Sequence, residues 1–173
     1  KITKIDSIPG SLEDFIELRD KLAISPQGGA VLFSLAMILY TQNKELGRKA
    51  FVISLDRSIL VIGDDYKGFS PPSLFDFHLK NLNENPWIPK SYILDTSPED
   101  SYVIPKNIKY KLKTENYNTL LNGAIRVFIE CSGSIWHREV SMIKNNRGIW
   151  KVLDFRDLFI DVIPPTPLSD DGF

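Results

Sequence analysis

The sequence has 173 residues, of which 43% are apolar and 25% are charged, and its formal net charge is -1. This length and composition are typical of one globular domain, and they exclude a disordered chain, a collagen-like chain and a coiled coil. The nearly neutral charge gives no general attraction to nucleic acids or anionic membranes. The single cysteine, Cys131, excludes an internal disulfide and a cysteine-based zinc site.

The first part of the chain is predicted to be helical. Ser11 is a typical N-cap, and apolar residues at helical spacing follow it until Pro26 interrupts the pattern. Gly28-Gly29 predicts a turn. The almost wholly apolar residues 30–41 then predict a helix at the centre of the fold. This run is shorter than the about 20 apolar residues of a membrane helix, so no membrane span is expected.

Two more helices are predicted before the chain reaches its midpoint. Asn43 is the N-cap candidate of the third helix, whose last residues, 51–55, also fit a strand. The β-branched residues 59–62 are expected to end at a turn over Gly63-Asp64-Asp65. The fourth helix is predicted over residues 73–83, because the prolines before it fit a helical first turn.

Residues 86–105 predict a long ordered loop, since they contain four prolines and no clear period. Its aromatic residues Trp87, Tyr92 and Tyr102 are our candidate binding residues. Aromatic side chains on an ordered loop line a pocket or an interface, or they hold the loop to the core. The sequence leaves both roles open.

Beyond Pro105 the apolar pattern changes to a period of two, which predicts an antiparallel meander. The expected fold is therefore α+β, with about four N-terminal helices packed on one face of a C-terminal antiparallel sheet. Residues 1–165 are expected to form a single domain, and residues 166–173 a loose tail. The strands are predicted over residues 109–113, 124–131, 136–144, 149–155 and 158–163.

The hairpin within residues 124–144 predicts a definite register. A four-residue loop would place Ile129 opposite Arg138 and Ile125 opposite Met142, on a face that is apolar except for Arg138. The other face would gather charged residues around Phe128. A carboxylate beside a histidine raises the histidine pKa and supports acid–base chemistry, whereas an exposed ion-pair ladder has only a structural role. The candidate residues for this cluster are Arg126, Glu130, His137 and Glu139.

Lys109, Lys111 and Lys113 lie on one face of a predicted strand. Residues 105–126 carry a charge of +4, from Lys106, these three lysines and Arg126 against Glu115. Such a stripe fits a nucleic-acid surface. Lysines also protect the edge strands of sheets from aggregation, and the net charge of the whole chain favours that interpretation.

The sequence predicts no metal and no cofactor. Its two histidines, His78 and His137, lie far apart, and no phosphate-binding loop is present. Ser132-Gly133-Ser134 lacks the preceding glycine of a nucleophile elbow, so a hairpin turn is expected there.

Several segments resemble an uncharacterised family of bacterial domains of unknown function, over most of the chain. The chain carries Asp95 and Asp100 where the family tends to have glycine and asparagine. The resemblance implies a bacterial α+β protein and assigns no catalytic residue. A looser resemblance, at the level of fold only, is to the nuclear-transport-factor-2-like cone. The segments that carry the family resemblance are Phe15-Ile16-Glu17-Leu18-Arg19-Asp20-Lys21-Leu22-Ala23, Ser25-Pro26-Gln27-Gly28-Gly29-Ala30, Ser91-Tyr92, Thr96-Ser97-Pro98-Glu99-Asp100-Ser101-Tyr102 and Gly148-Ile149-Trp150-Lys151-Val152.

These observations predict a non-enzymatic module that binds a protein or a small molecule. One alternative is an enzyme with a cone-like pocket that uses His137 and Glu130 or Glu139. Another is a weak nucleic-acid binder that uses residues 109–113. The shortage of cysteine favours the cytoplasm, but the sequence begins at Lys1 without methionine and leaves export open.

Overall fold

The computed structural model describes residues 1–119 and 123–167. In these residues, helices precede most of a five-stranded antiparallel sheet, which confirms the expected α+β class. The strands lie in the order β1-β4-β5-β6-β7, and a separate hairpin joins β2 to β3. The elements are β1 (Ile2–Ile5), α1 (Leu12–Leu22), α2 (Pro26–Gln42), α3 (Lys44–Ser54), β2 (Val61–Tyr66), β3 (Phe69–Ser70), α4 (Phe75–Glu84), β4 (Ile108–Thr119), β5 (Ile125–Ile129), β6 (Arg138–Lys144) and β7 (Trp150–Asp154).

Helix α2 forms the centre of the core. Every residue from Gly28 to Leu39 is buried, and the helix contacts the other three helices as well as β4, β5, β6 and β7. Its Phe33 ring lies 5.3 Å from that of Phe51 and 6.0 Å from that of Phe155, centroid to centroid. As its apolar composition predicts, this helix is buried on nearly all sides. Within the described residues, no helix is long and apolar enough to cross a membrane.

The turn predicted at Gly28-Gly29 is wrong, because both glycines lie inside α2. Ser25 caps this helix by accepting a hydrogen bond from the Gly28 N–H at 3.0 Å, and Pro26 follows at the first helical position. A Cβ at Gly28 would lie 1.7 Å from the Leu22 carbonyl oxygen. Glycine is thus required here for the close approach of α1 to α2 and not for a turn.

The register predicted for the β5–β6 hairpin is confirmed. Ile125 pairs with Met142, and Ile129 pairs with Arg138. Arg138 is buried on the apolar face as expected, and its guanidinium donates to the Asp161 carbonyl at 2.6 Å. The loop length and the alternating pattern were therefore sufficient to place this hairpin.

Two further predictions are wrong: the turn at Gly63-Asp64-Asp65 and the strand over residues 158–163. The expected turn at Gly63-Asp64-Asp65 lies within β2, and the chain reverses instead at Lys67-Gly68, where both residues have positive φ angles of 47° and 87°. Residues 158–163 do not form a strand. A 3₁₀ turn over Arg156–Phe159 removes the chain from the sheet and buries Leu158 and Phe159 in the core.

The lysine-rich strand β4 does not lie at the edge of the sheet, so the prediction of edge protection is wrong. Strand β1, which the sequence analysis missed, pairs with β4 and places Ile2 opposite Lys111 and Ile5 opposite Ile108. On its other side, β4 pairs with β5. The lysines therefore project from an interior strand.

The remaining expectations agree more closely with the structure. Asn43 caps α3, which continues to Ser54, so residues 51–54 are helical and not a strand. Helix α4 begins two residues later than predicted. In the predicted tail, the Thr166 N–H donates to the Pro98 carbonyl at 2.9 Å, and residues 168–173 lie outside the described residues.

We predict that Gly28→Ala destabilises the protein. In an open helix this change adds about 1 kcal/mol of stability, but here the new methyl group meets the Leu22 backbone. Overpacking of this kind costs about 1–3 kcal/mol, and denaturant unfolding measures it. Gly10→Ala is the control, because a Cβ there meets nothing within 4 Å. Equal stabilities of the two variants would contradict the proposed close approach.

Candidate functional site

The aromatic residues of the long loop are mostly enclosed. Tyr92 and Tyr102 are fully buried, and their hydroxyls donate to the carbonyls of Leu158, at 2.7 Å, and of Ile163. Burial raises the pKa of Tyr92 well above its ordinary value and that of Tyr102 to about 12. Trp87 is partly buried against the core. These contacts support the anchoring role, and a binding role for the three aromatics stays a prediction.

The charged cluster predicted on the outer sheet face is divided between separate pairs. The Arg126 Nε lies 2.8 Å from a carboxylate oxygen of Glu139. The Lys111 Nζ lies 3.8 Å from a carboxylate oxygen of Glu130. His137 is exposed just before β6 begins. The carboxylates expected to accompany His137 thus interact with other cations, at the surface, where each pair contributes about 0–1 kcal/mol.

An open groove of about 440 Å³ lies beside this cluster, but its charges are compensated. An Asp157 oxygen accepts the Glu139 N–H at 2.8 Å, and Asp154 pairs with Arg156 at 2.9 Å. The Arg156 hydrogen bond holds the pKa of Asp154 below its ordinary value. In the part of the chain that the structure describes, no three His, Cys, Asp or Glu side chains are grouped so as to hold a metal ion.

His78, the second histidine, lies in the aromatic core. Its ring centroid is 5.2 Å from that of Phe159 and 5.6 Å from that of Phe155. Burial lowers its pKa, and the charge of Arg156 lowers it further. The neutral form is therefore favoured, as expected of a histidine that packs as an aromatic ring.

A cleft of about 320 Å³ on another side of the molecule has a very different charge balance. It lies between α1, the end of α3, the β2–β3 hairpin and the turn that joins β6 to β7. Among the described residues that line it, five are cationic and one is a carboxylate, Asp56. We call this feature the cationic cleft. Its cations are Arg19, Arg57, Lys67, Arg147 and Lys151, and its apolar and aromatic wall is formed by Val52, Ile53, Leu55, Leu60, Tyr66 and Phe69.

The carboxylate of Asp56 is already occupied by a local hydrogen-bond network. It accepts from the backbone N–H of Ser58 at 3.1 Å and from the Ser58 hydroxyl. Two cations rest on rings of the wall, because the Arg57 guanidinium lies 4.7 Å from the Phe69 centroid and the Lys67 ammonium 5.4 Å from the Tyr66 centroid. These contacts hold long cationic side chains at the rim without neutralising them.

Lys151 is a half-buried cation of the cleft. The segment after α3 runs beside β7, where the Asp56 N–H donates to the Val152 carbonyl at 2.8 Å. This arrangement brings the Ile53 carbonyl to the Lys151 Nζ, which donates a hydrogen bond to it. Burial lowers the pKa of Lys151 to about 8. The nearby charges of Arg19 and Arg147 also lower it, while those of Asp56 and Asp20 raise it.

Sequence reasoning missed this site because its cations come from five separate positions. They follow no spacing that a helix or a strand would repeat, and they meet only through tertiary packing. One signal was present: Arg19 and Lys151 both lie in segments that carry the family resemblance. Chemically, a partly enclosed group of ammonium and guanidinium ions favours a negatively charged ligand.

The fold and the cleft define an α+β domain with a cationic surface site beside an antiparallel sheet that the helices cover on one face. The chain belongs to the family described as Domain of unknown function (DUF6935), whose family model matches residues 7–166. This match confirms the resemblance to an uncharacterised domain family. No curated protein and no solved structure matches the chain, and the likeness to the nuclear-transport-factor-2-like cone is not shown.

We predict a specific pH dependence of stability from Lys151. Its pKa is about 8 in the folded protein and about 10.5 in a free side chain, so the unfolded chain binds more protons between these values. The free energy of unfolding should therefore gain a contribution from Lys151 that rises with pH from about 8 to 10.5. Below this window the buried charge destabilises the fold.

Lys151→Met tests this contribution, with Lys113→Met as a control at an exposed lysine. Each pKa unit corresponds to about 1.4 kcal/mol, which partial solvent screening reduces, so we expect the K151M variant to be about 1–2 kcal/mol more stable at pH 7. The difference should diminish towards pH 10.5 in urea unfolding experiments. A difference that stays constant across this range would show that the pKa of Lys151 is ordinary.

Proposed function

We propose that this chain is a single-domain, non-enzymatic binding module whose cationic cleft holds a small anionic ligand. The observation that carries the proposal is the charge balance of the cleft, whose described lining has five cations and one carboxylate, Asp56, while Asp20 pairs with Arg19 at 3.0 Å. Its volume of about 320 Å³ fits a small molecule, since ligand pockets measure about 300–1,000 Å³.

The electrostatics of the cleft favour an anionic ligand. The charges of Arg19 and Arg147 help to lower the pKa of Lys151, against the opposing charges of Asp56 and Asp20. Asp20, the carboxylate that lies 3.0 Å from Arg19, is largely exposed, with 58% of its side chain accessible. An anion bound among the three cations would replace repulsion by charge-assisted hydrogen bonds. Guanidinium groups also match the planar geometry of carboxylates and the oxygens of phosphates.

The enzyme alternative has weaker geometric support. For His137 to act as a general base, a carboxylate or a substrate must lie within hydrogen-bond reach of its ring, in a site sheltered from solvent. His137 is exposed, and Glu139 pairs with Arg126. Binding in the cleft requires no group to move between protonation states.

A second candidate function, weak nucleic-acid binding, is favoured by one observation. Because β4 is an interior strand, edge protection does not account for Lys109, Lys111 and Lys113. Lys113 lies opposite Phe128 in the register, on a sheet face that the helices do not cover. A cationic stripe with an aromatic neighbour is the footprint of single-strand binding, which would weaken steeply with salt. Titration of labelled single-stranded RNA at two salt concentrations tests this candidate.

We predict that sulfate stabilises the protein through the cationic cleft. Thermal unfolding is followed as sulfate replaces chloride at constant ionic strength, because sulfate keeps its double charge from pH 6 to 9. A ligand at a hundredfold excess over its Kd adds about 2.7 kcal/mol. We expect a saturable rise in the unfolding midpoint, and an affinity at least tenfold weaker in an Arg19→Gln, Arg147→Gln double variant.

The matched control is the double variant Lys109→Gln, Lys113→Gln, which removes two positive charges from the outer sheet face, one half-buried and one exposed. Sulfate also stabilises proteins generally, by exclusion from their surfaces. That general effect would raise the midpoint of both double variants equally and without saturation. Equal effects on the two variants would overturn the assignment of the cleft.

A further inference from the structure

The amine of Lys151 differs from an ordinary anion-binding lysine in its surroundings. It lines the cleft together with the buried residues Ile53 and Leu55, and its hydrogen bond to the Ile53 carbonyl fixes its position. Arg19 and Arg147 are close enough for their charges to act on it. A fixed amine between an apolar wall and two guanidinium ions is the arrangement in which lysine serves as a nucleophile.

Resting on the proposed function of the cleft, we propose that its ligand is a small carbonyl compound that carries an anionic group, and that Lys151 captures it reversibly as an imine. The ligand class comprises aldehydes and 2-oxo acids with a carboxylate or phosphate group. Arg19 and Arg147 hold the anionic group, and the Lys151 amine meets the carbonyl carbon. Capture of this kind is binding and not turnover, because hydrolysis returns the same compound.

The chemistry needs only the Lys151 amine, the ligand and water. The nitrogen lone pair of the neutral amine attacks the carbonyl carbon, and the carbonyl electron pair moves to oxygen. A proton passes from nitrogen to that oxygen to give a carbinolamine, which loses water to form the carbon–nitrogen double bond. One water is released for each imine, and no electron is gained or lost.

The charges of the cleft support both stages of this reaction. Burial and the two arginines lower the pKa of Lys151 to about 8 although Asp56 and Asp20 oppose them, so a minor share of the amine is neutral near pH 7. The hydrogen bond to Ile53 uses one N–H and leaves the lone pair of the neutral amine free. Once the imine forms and takes up a proton, the anionic group of the ligand offsets its positive charge.

The experiment is reductive trapping with glyoxylate, the smallest anionic aldehyde, and with acetaldehyde as its uncharged counterpart. Protein at pH 7.5 is treated with each aldehyde and sodium cyanoborohydride, and peptide mass spectrometry measures the labelling rate of each lysine. We expect glyoxylate to label Lys151 at least tenfold faster than exposed Lys113. Acetaldehyde should show a much smaller preference, and sulfate should slow only the reaction at Lys151.

The outcomes separate this inference from the proposed function. If glyoxylate labels Lys151 no faster than Lys113 while sulfate still stabilises the protein through the cleft, the imine is excluded and anion binding stands. If sulfate binding also fails, both proposals fall. A Lys151→Arg variant that keeps sulfate binding and loses only the fast labelling phase would support both. Equal preferences for glyoxylate and acetaldehyde would overturn the role given to the anionic group.

Discussion

The burial of α2 on all sides is the constraint on which the rest of the structure depends. A helix that is apolar around its whole circumference cannot lie on a surface, so other elements must surround it. Here the sheet covers one side, and α1, α3 and α4 cover others. Gly28 and Gly29 permit two close approaches, since a Cβ at Gly29 would lie 2.8 Å from the Trp150 carbonyl oxygen. Because the helices are all used to enclose α2, the opposite face of the sheet is left without a helical layer.

The cationic cleft follows from this arrangement, because it forms where the surrounding elements end and their connections meet. Segments that arrive from α1, α3 and β7 bring long side chains to one place, and their apolar stems cover part of the core. Burial and the charges of Arg19 and Arg147 lower the pKa of Lys151, so its positive charge opposes folding below that pKa.

Local signals in the sequence were sufficient for features that depend on neighbouring residues. The caps at Ser11 and Asn43 and the register of the β5–β6 hairpin belong to this class, since side-chain alternation and loop length determine them. Features that tertiary packing decides were missed. Strand β1 has only four residues and gains its pairing from β4, a hundred positions away, while Gly28 has the local signature of a turn and a tertiary reason to be glycine. The cleft is the extreme case, because its five cations share neither a segment nor a period.

The contrast between two groups of lysines shows why charge counts alone do not locate a site. Lys109, Lys111 and Lys113 give the most basic stretch of the sequence, yet Lys111 and Lys113 are exposed to solvent, where hydration stabilises each charge. Lys151 is a single residue whose hydration is reduced by burial, so a nearby opposite charge acts on it more strongly.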